Sequence, residues 1–172
     1  MQMANQFRSS NNIVNVKTLV IGLGNPILGD DGVGWKVAQN VSAVVNHHTD
    51  IEVDCASLGG LSLMERMLGY QRVILVDSME SGQGAAGSVR VFPLLALPNP
   101  MAGHSASAHD TSLMTALQVA RSMGADVPER VDVVAIESKN MVDFSDELSP
   151  KVAAAVPVAV HKILELLKKE LA

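Results

Sequence analysis

Apolar runs of strand length that lack a polar face are the feature that most constrains the fold of this chain. The clearest are 17–24 (KTLVIGLG), 72–79 (RVILVDSM) and 130–138 (RVDVVAIES). A strand that is apolar on both faces must be covered on both faces, as the strands of parallel sheets are. The run 51–57 (IEVDCAS) predicts a further strand, and 87–94 (GSVRVFPL) alternates and contains a proline, which is typical of an edge strand.

Helical patterns separate these strands, at 31–47, 61–69, 110–124 and 148–172. Asp110 or Thr111 is expected to cap the third helix and Ser149 the fourth, in which Pro150 takes the first position and Pro157 favours a kink. Strand–helix alternation predicts a three-layer α/β/α sandwich. Its sheet should be open and mainly parallel, with at least one antiparallel edge strand.

Length and composition predict one globular domain. The 172 residues are 48% hydrophobic and 18% charged, which suits a single α/β domain over 16–172 preceded by a disordered leader over 1–15. The leader has no apolar signal-peptide core, and the run 152–160 is too short to span a bilayer. With Cys55 as the one cysteine, no internal disulfide can form, and a cytoplasmic location is expected. The net charge of −5 argues against nucleic-acid binding.

Polar side chains fall where the predicted strands end. Asp30 and Asp31 follow the first strand, Asp77 ends the third, and His104 or His109 lies in the loop before the helix at 110. Parallel sheets place their sites beyond the carboxyl ends of the strands, at a point where the strand order reverses. Two carboxylates and an imidazole there would form a metal site with positions left open for substrate or water.

Each of these residues also has a purely structural interpretation. An aspartate at a strand-to-helix turn often only caps the helix, and Asp77 could bond its own backbone in a turn. A single loop histidine is usually just solvated. From the residues alone, the metal site and these structural roles both stay open.

Two other function classes fit the chain poorly. The glycines of GLGNPILGDDG depart from the dinucleotide fingerprint, no phosphate-binding P-loop motif occurs, and two carboxylates occupy the helix N-terminus that a pyrophosphate would need. A serine protease elbow is absent, and Cys55 has no adjacent base, which favours a buried thiol.

Five segments in order resemble the [NiFe]-hydrogenase maturation endopeptidases, nickel-dependent proteases that trim the C-terminus of a hydrogenase large-subunit precursor. The segments are 22–34 (GLGNPILGDDGVG), 53–60 (VDCASLGG), 73–79 (VILVDSM), 107–113 (SAHDTSL) and 136–150 (IESKNMVDFSDELSP). Peptidyl-tRNA hydrolases share the GLGNP start, but the isoleucine that follows here and the lack of a Thr-Arg-His-Asn element exclude them.

The resemblance implies roles for particular residues. The family's three metal ligands, which also form its catalytic centre, map onto Asp31, Asp77 and His109. His109 fits better than His104, because the residues around it match the family's serine–x–histidine and helix start. Asp54 matches an aspartate implicated in substrate recognition, although the Cys-Ala-Ser that follows it departs from the family's usual Asp-Gly-Gly/Cys-Thr.

Asn25, at the tip of the first loop, is a further substrate-binding candidate that would orient the loop or the peptide. The alternative is a turn residue that tolerates positive φ.

Carboxylates with an imidazole suit Ni²⁺ or Zn²⁺, and the absence of thiolates predicts moderate affinity. The resemblance implies that nickel arrives on the precursor, while zinc or another divalent ion could occupy the site in vitro. The expected reaction is metal-assisted hydrolysis of one peptide bond, in which Asp31 or Asp77 acts as the general base. The expected partner is the large-subunit precursor, with no nucleic acid or membrane, and the expected state is a monomer. A non-catalytic docking module or chaperone is the competing hypothesis.

Overall fold

The computed structural model describes residues 17–96, 108–139, 141, 143–168 and 171, and at 108–112 it describes the backbone alone. In this part of the chain the strands are β1 (Thr18–Leu23), β2 (Ile51–Ala56), β3 (Arg72–Met79), β4 (Val89–Pro93) and β5 (Arg130–Glu137). The helices are α1 (Val33–Val45), α2 (Gly60–Met67), α3 (Ala108–Ser122) and α4 (Pro150–Leu166). The predicted leader over 1–15 lies outside the described residues.

The sheet has the order β2-β1-β3-β5-β4. β1 pairs with β2 and β3 in parallel, β3 pairs with β5 in parallel, and β4 is antiparallel to β5 at the edge. The fold prediction is confirmed, including the edge position of the proline-containing strand. The next strand along the chain, β2, lies on one side of β1, and the strand after that, β3, lies on the other side. The strand order therefore reverses at β1. The register pairs Gly22 with Val76, so the loop after β1 emerges beside Asp77.

Helices cover both faces of the sheet, as strands without a polar face require. The valines of α1 and the apolar side of α4 pack with Val20, Ile74 and Val134 on one face. On the other face, α2 and α3 pack with residues such as Leu19 and Leu75. Alternate residues of each central strand are therefore buried on opposite faces, which explains why these strands read as continuous apolar runs.

Two glycines let α1 approach the strands closely. A Cβ atom on Gly34 would lie 2.2 Å from the Leu23 carbonyl oxygen and 2.5 Å from that of Val76. A Cβ on Gly22 would lie 2.2 Å from the Gly34 carbonyl oxygen. Because both residues are glycines, the first turn of α1 can pack directly against the carboxyl ends of β1 and β3.

Several predicted helix boundaries were wrong. A 3₁₀ turn over Gly29–Gly32 precedes α1, so this helix begins later than residue 31. α3 begins at Ala108, which puts Asp110 and Thr111 inside the helix instead of at its cap. α4 runs over Pro150–Leu166, shorter than 148–172. Ser149 holds the N-cap position with Pro150 next to it, but its side chain makes no capping hydrogen bond.

The helices of the described residues lack the length and hydrophobicity that a bilayer span requires.

Candidate active site

Asp31 lies in the 3₁₀ turn after β1, and both of its carboxylate oxygens accept hydrogen bonds. The backbone N–H of Asn25 donates to Oδ2 at 2.7 Å, and the hydroxyl of Ser78 donates to Oδ1 at 3.1 Å. The turn folds tightly over Gly24, whose φ is +117° and whose missing Cβ would lie 1.9 Å from the Asp31 carbonyl oxygen. The carboxylate is therefore fixed against the end of β3.

Asp77 is partly buried near the end of β3, one residue before Ser78. Because side chains alternate along a strand, Ser78 lies on the face covered by α1 and α4, where Asp31 bonds it. Asp77 lies on the opposite face, with Leu75 and Met79 against α2 and α3. The structure thus places the two predicted carboxylates at the carboxyl ends of the adjacent strands β1 and β3.

His109, the predicted third ligand, lies in the first turn of α3 and not in the loop before it. Its side chain is outside the described residues, as is the whole of His104. Within the part of the chain that is described, no three His, Cys, Asp or Glu side chains come together in a group that could hold a metal ion. The three-ligand set therefore stays a prediction.

Asn25 shapes the first loop with both its backbone and its side chain. Its Oδ1 accepts a hydrogen bond from the Ile27 N–H at 3.2 Å, while its own N–H bonds Asp31. Among the described residues only glycines have positive φ, so Asn25 does not serve as a left-handed turn residue. An Asx-type turn that presents the Asp31 carboxylate fits the predicted loop-orienting role.

Asp54 lies in a cluster of charged and polar groups on β2 and α2. Its Oδ2 accepts from Arg66 Nε at 2.7 Å and its Oδ1 from the Cys55 N–H at 2.8 Å. The same guanidinium also pairs with Glu52 and bonds the hydroxyl of Tyr70, which in turn donates to Glu52. Asp54 therefore faces a cation that already belongs to the chain.

This cluster shifts the pKa values of its members. The hydrogen bond with Tyr70, followed by those with Asp54 and Glu52, raises the pKa of Arg66. Hydrogen bonds from Tyr70 and then Arg66 lower the pKa of Glu52. Burial, and secondarily the charge of Asp54, raises the pKa of the Cys55 thiol. At neutral pH Glu52 is therefore a carboxylate, Arg66 is a guanidinium and Cys55 is a protonated thiol.

Asp30 has a structural role that the sequence did not indicate beyond possible helix capping. It is 2% exposed, and its carboxylate accepts from the Ser149 N–H at 2.6 Å, the Ser149 hydroxyl at 2.9 Å and the Ser138 hydroxyl at 3.1 Å. Neither Asp30 nor Asp31 makes a side-chain cap to the 3₁₀ turn or to α1. Asp30 instead ties the turn that carries Asp31 to the end of β5 and to the start of α4.

Glu137, 1% exposed at the end of β5, holds the loop that follows β3. It accepts from the N–H and the hydroxyl of Ser81 at 3.0 and 2.7 Å, from the Gly82 N–H at 3.2 Å and from Arg90 at 3.3 Å. The successive residues Glu137 and Ser138 thus fasten the loops after β3 and β1. The sequence signal for Glu137 is only that a carboxylate ends an apolar run; it does not indicate the loop that Glu137 holds.

Comparison with known proteins agrees with this architecture. The family model described as hydrogenase maturation protease matches residues 35–166. The hydrogenase 2 maturation protease of Escherichia coli is 21% identical over 154 residues, which cover 90% of this chain and 92% of that protein.

Two solved structures share the fold. The hydrogenase-maturating endopeptidase HybD from Escherichia coli superposes with a TM-score of 0.69 at 21% identity, covering 89% of this chain and 93% of that one. The hydrogenase 2 maturation peptidase from a Thaumarchaeota archaeon has a TM-score of 0.62 at 27% identity, covering 88% and 98%. With a family match over more than half of its length, this chain belongs to the hydrogenase maturation proteases.

Proposed function

We propose that this chain is an endopeptidase that removes a C-terminal peptide from a nickel-loaded [NiFe]-hydrogenase large-subunit precursor. Its membership of the hydrogenase maturation proteases supports the reaction class. The reversal of strand order between β1 and β3 supports the location, because doubly wound sheets bind their ligands at the carboxyl ends of such strands. The cytoplasm, with its reduced thiols, suits a chain with one unpaired cysteine.

The observation that carries the proposal is the hydrogen bond from the Ser78 hydroxyl to Asp31 at 3.1 Å. This bond holds the Asp31 carboxylate against Ser78, the residue that follows Asp77. Two carboxylates held at adjacent strand ends suit a site that positions a water molecule and takes a proton from it.

The surroundings of Asp31 suit a ligand for a metal carried by the substrate. Each oxygen of Asp31 accepts one hydrogen bond and keeps lone-pair capacity, and such bonds commonly orient carboxylates that bind metals. Asp31, Asp77 and His109 would hold the nickel of the precursor, which we treat as part of the substrate. When bound, that ion supplies positive charge that anchors the precursor and polarises the scissile carbonyl.

The chain's own residues supply the remaining functions. One of the two carboxylates, Asp31 or Asp77, accepts a proton from the attacking water, and the protonated group then donates to the leaving amine. Asn25 maintains the loop that presents Asp31. Asp54 contacts the substrate at the edge strand, and Arg66 holds that carboxylate in place before the precursor binds.

Intact-mass spectrometry of a nickel-loaded large-subunit precursor tests this function. The wild-type chain should remove one C-terminal peptide, and it should leave the nickel-free precursor intact. Asp31→Asn and His109→Ala should each reduce the rate about 100-fold or more, whereas Asp126→Asn, an exposed aspartate away from the crevice, serves as the matched control. Binding of precursor without cleavage would favour the docking-module hypothesis instead, and processing by both crevice variants at the wild-type rate would contradict the assigned site.

A further inference from the structure

Two large apolar side chains lie exposed at the rim of the candidate active site. Phe144 is 86% exposed and Ile27 is 54% exposed. Exposure of single apolar residues is ordinary, but two that adjoin beside a substrate crevice indicate an interaction surface.

A short parallel bridge brings the two side chains together. Leu28 pairs with Ser145: the Ser145 N–H donates to the Ile27 carbonyl at 3.1 Å, and the Gly29 N–H donates to the Ser145 carbonyl at 2.7 Å. Ile27 and Phe144 each precede the paired residue, so they occupy neighbouring positions across the bridge. The same loop continues into the turn that carries Asp31, since the Asp31 N–H donates to the Leu28 carbonyl at 3.1 Å.

Carboxylates flank Phe144 along the chain. Asp143, Asp146 and Glu147 are exposed, and the run 143–147 contains no basic residue. None of these three forms an ion pair with any residue in the described part of the chain. We name the surface of Ile27, Phe144 and these three carboxylates the rim patch.

We propose that the rim patch docks a segment of the hydrogenase large-subunit precursor in which an apolar pocket is bordered by lysine or arginine side chains. This inference rests on the proposed function and adds the surface that recognises the substrate. An exposed aromatic ring that enters a partner's pocket is the usual anchor of a protein interface, and unpaired charges at its rim select the complementary partner.

A basic partner fits this surface better than a second copy of the chain does. A two-fold dimer through the rim patch would bring the same carboxylates of both copies face to face, because such an interface uses one patch twice. The net charge of −5 would add to that repulsion. The patch also adjoins the turn that carries Asp31, through the bond from the Asp31 N–H to the Leu28 carbonyl, so it lies beside the candidate active site.

Steady-state processing of a nickel-loaded large-subunit precursor, followed by intact mass, tests the rim patch. Phe144→Ala should lower kcat/KM about tenfold, with the change carried by KM, because the ring contributes binding and takes no part in the chemistry. Met123→Ala is the matched control, since Met123 is 81% exposed and follows α3. The triple variant Asp143→Asn, Asp146→Asn, Glu147→Gln should raise KM at low salt and weaken its salt dependence.

A photo-crosslinking amino acid in place of Phe144 locates the occupant directly. The crosslink should fall on a precursor segment that carries lysine or arginine, and the same probe in place of Met123 should give none.

The outcomes separate this inference from the function on which it rests. Wild-type cleavage with an unchanged KM in Phe144→Ala overturns the rim patch alone. A homodimer that Phe144→Ala dissociates while processing is unaffected overturns it as well, in favour of self-association. A wild-type chain that neither binds nor cleaves the precursor overturns the proposed function and the rim patch together.

Discussion

The carboxylate of Asp30 accepts hydrogen bonds from both the backbone N–H and the hydroxyl of Ser149, a residue 119 positions later in the chain. This pair joins the turn after β1 to the start of α4. A third hydrogen bond, from the Ser138 hydroxyl, also joins this turn to the end of β5. The neighbouring carboxylate, Asp31, can then point to the end of β3, because Asp30 secures the turn from the other side.

Asp30→Ala should lower the free energy of unfolding by about 3 kcal/mol, because it leaves the buried N–H and hydroxyl groups without an acceptor. Asp30→Asn keeps one carbonyl acceptor and should cost about half as much. Chemical denaturation in urea measures both values. Asp126→Ala, at an exposed aspartate, should change the same quantity by less than about 0.5 kcal/mol. Equal stability of Asp30→Ala and wild type would refute the anchoring role of Asp30.

Gly34→Ala should prevent stable folding or cost at least about 3 kcal/mol, because the new methyl group would overlap the carbonyl oxygens of Leu23 and Val76. Gly69→Ala is the matched control. Gly69 has a φ of +81° but no atom within 4 Å of the added methyl, so its substitution should cost only about 1–2 kcal/mol of backbone strain. Thermal unfolding compares the two. Similar losses at the two positions would argue against close packing of α1 on the strands.

Ser81→Ala and Glu137→Gln should show coupled effects on stability, because the Ser81 hydroxyl donates to the buried Glu137 carboxylate at 2.7 Å. A double-mutant cycle should give a coupling free energy of about 1–2 kcal/mol. Glu137→Gln should also increase hydrogen exchange at the Ser81 and Gly82 amides, which lose their acceptor. Additive effects with unchanged exchange would show that Glu137 does not hold this loop.

Cys55 should react slowly with iodoacetamide, and its pH–rate profile should be shifted to higher pH. Burial raises the pKa of the thiol, with a smaller contribution from the Asp54 charge, so less thiolate is present at a given pH. At pH 8 the folded chain should react several-fold more slowly than the same chain in urea, where the thiol has an ordinary pKa near 8.5. Asp54→Asn should move the profile partly back. A midpoint at or below the ordinary value would contradict this.

The central strands were predictable from the sequence because their burial has a simple signature. β3 was predicted at its observed bounds, 72–79, since a strand that is covered on both faces carries an uninterrupted apolar run, here residues 73–76, before it reaches the site. The position of Asp77 at the end of that strand followed directly. Helix starts were less accurate: hydrophobic periodicity fixes the face of a helix, while the 3₁₀ turn before α1 depends on tertiary bonds.

The roles of Asp30, Glu137 and Ser149 could not be predicted locally. Asp30 and Ser149 each looked like a helix cap, because capping is the commonest use of Asp and Ser at such positions. Asp30 and Ser149 instead bond to each other although they are 119 residues apart in the chain, and only the folded sheet brings them together. Glu137 marked the end of β5 in the sequence, but its contact with Ser81 depends on the path of a loop that has no periodic pattern.

The most direct test of the crevice as the catalytic centre is the intact mass of a nickel-loaded large-subunit precursor after incubation with wild-type chain or with Asp77→Asn. Asp77→Asn keeps the size of the side chain but removes the charge at the end of β3. We predict that wild type releases one C-terminal peptide and that Asp77→Asn, confirmed as folded by circular dichroism, leaves the precursor at full mass. Release of the same peptide by Asp77→Asn at the wild-type rate would contradict the account.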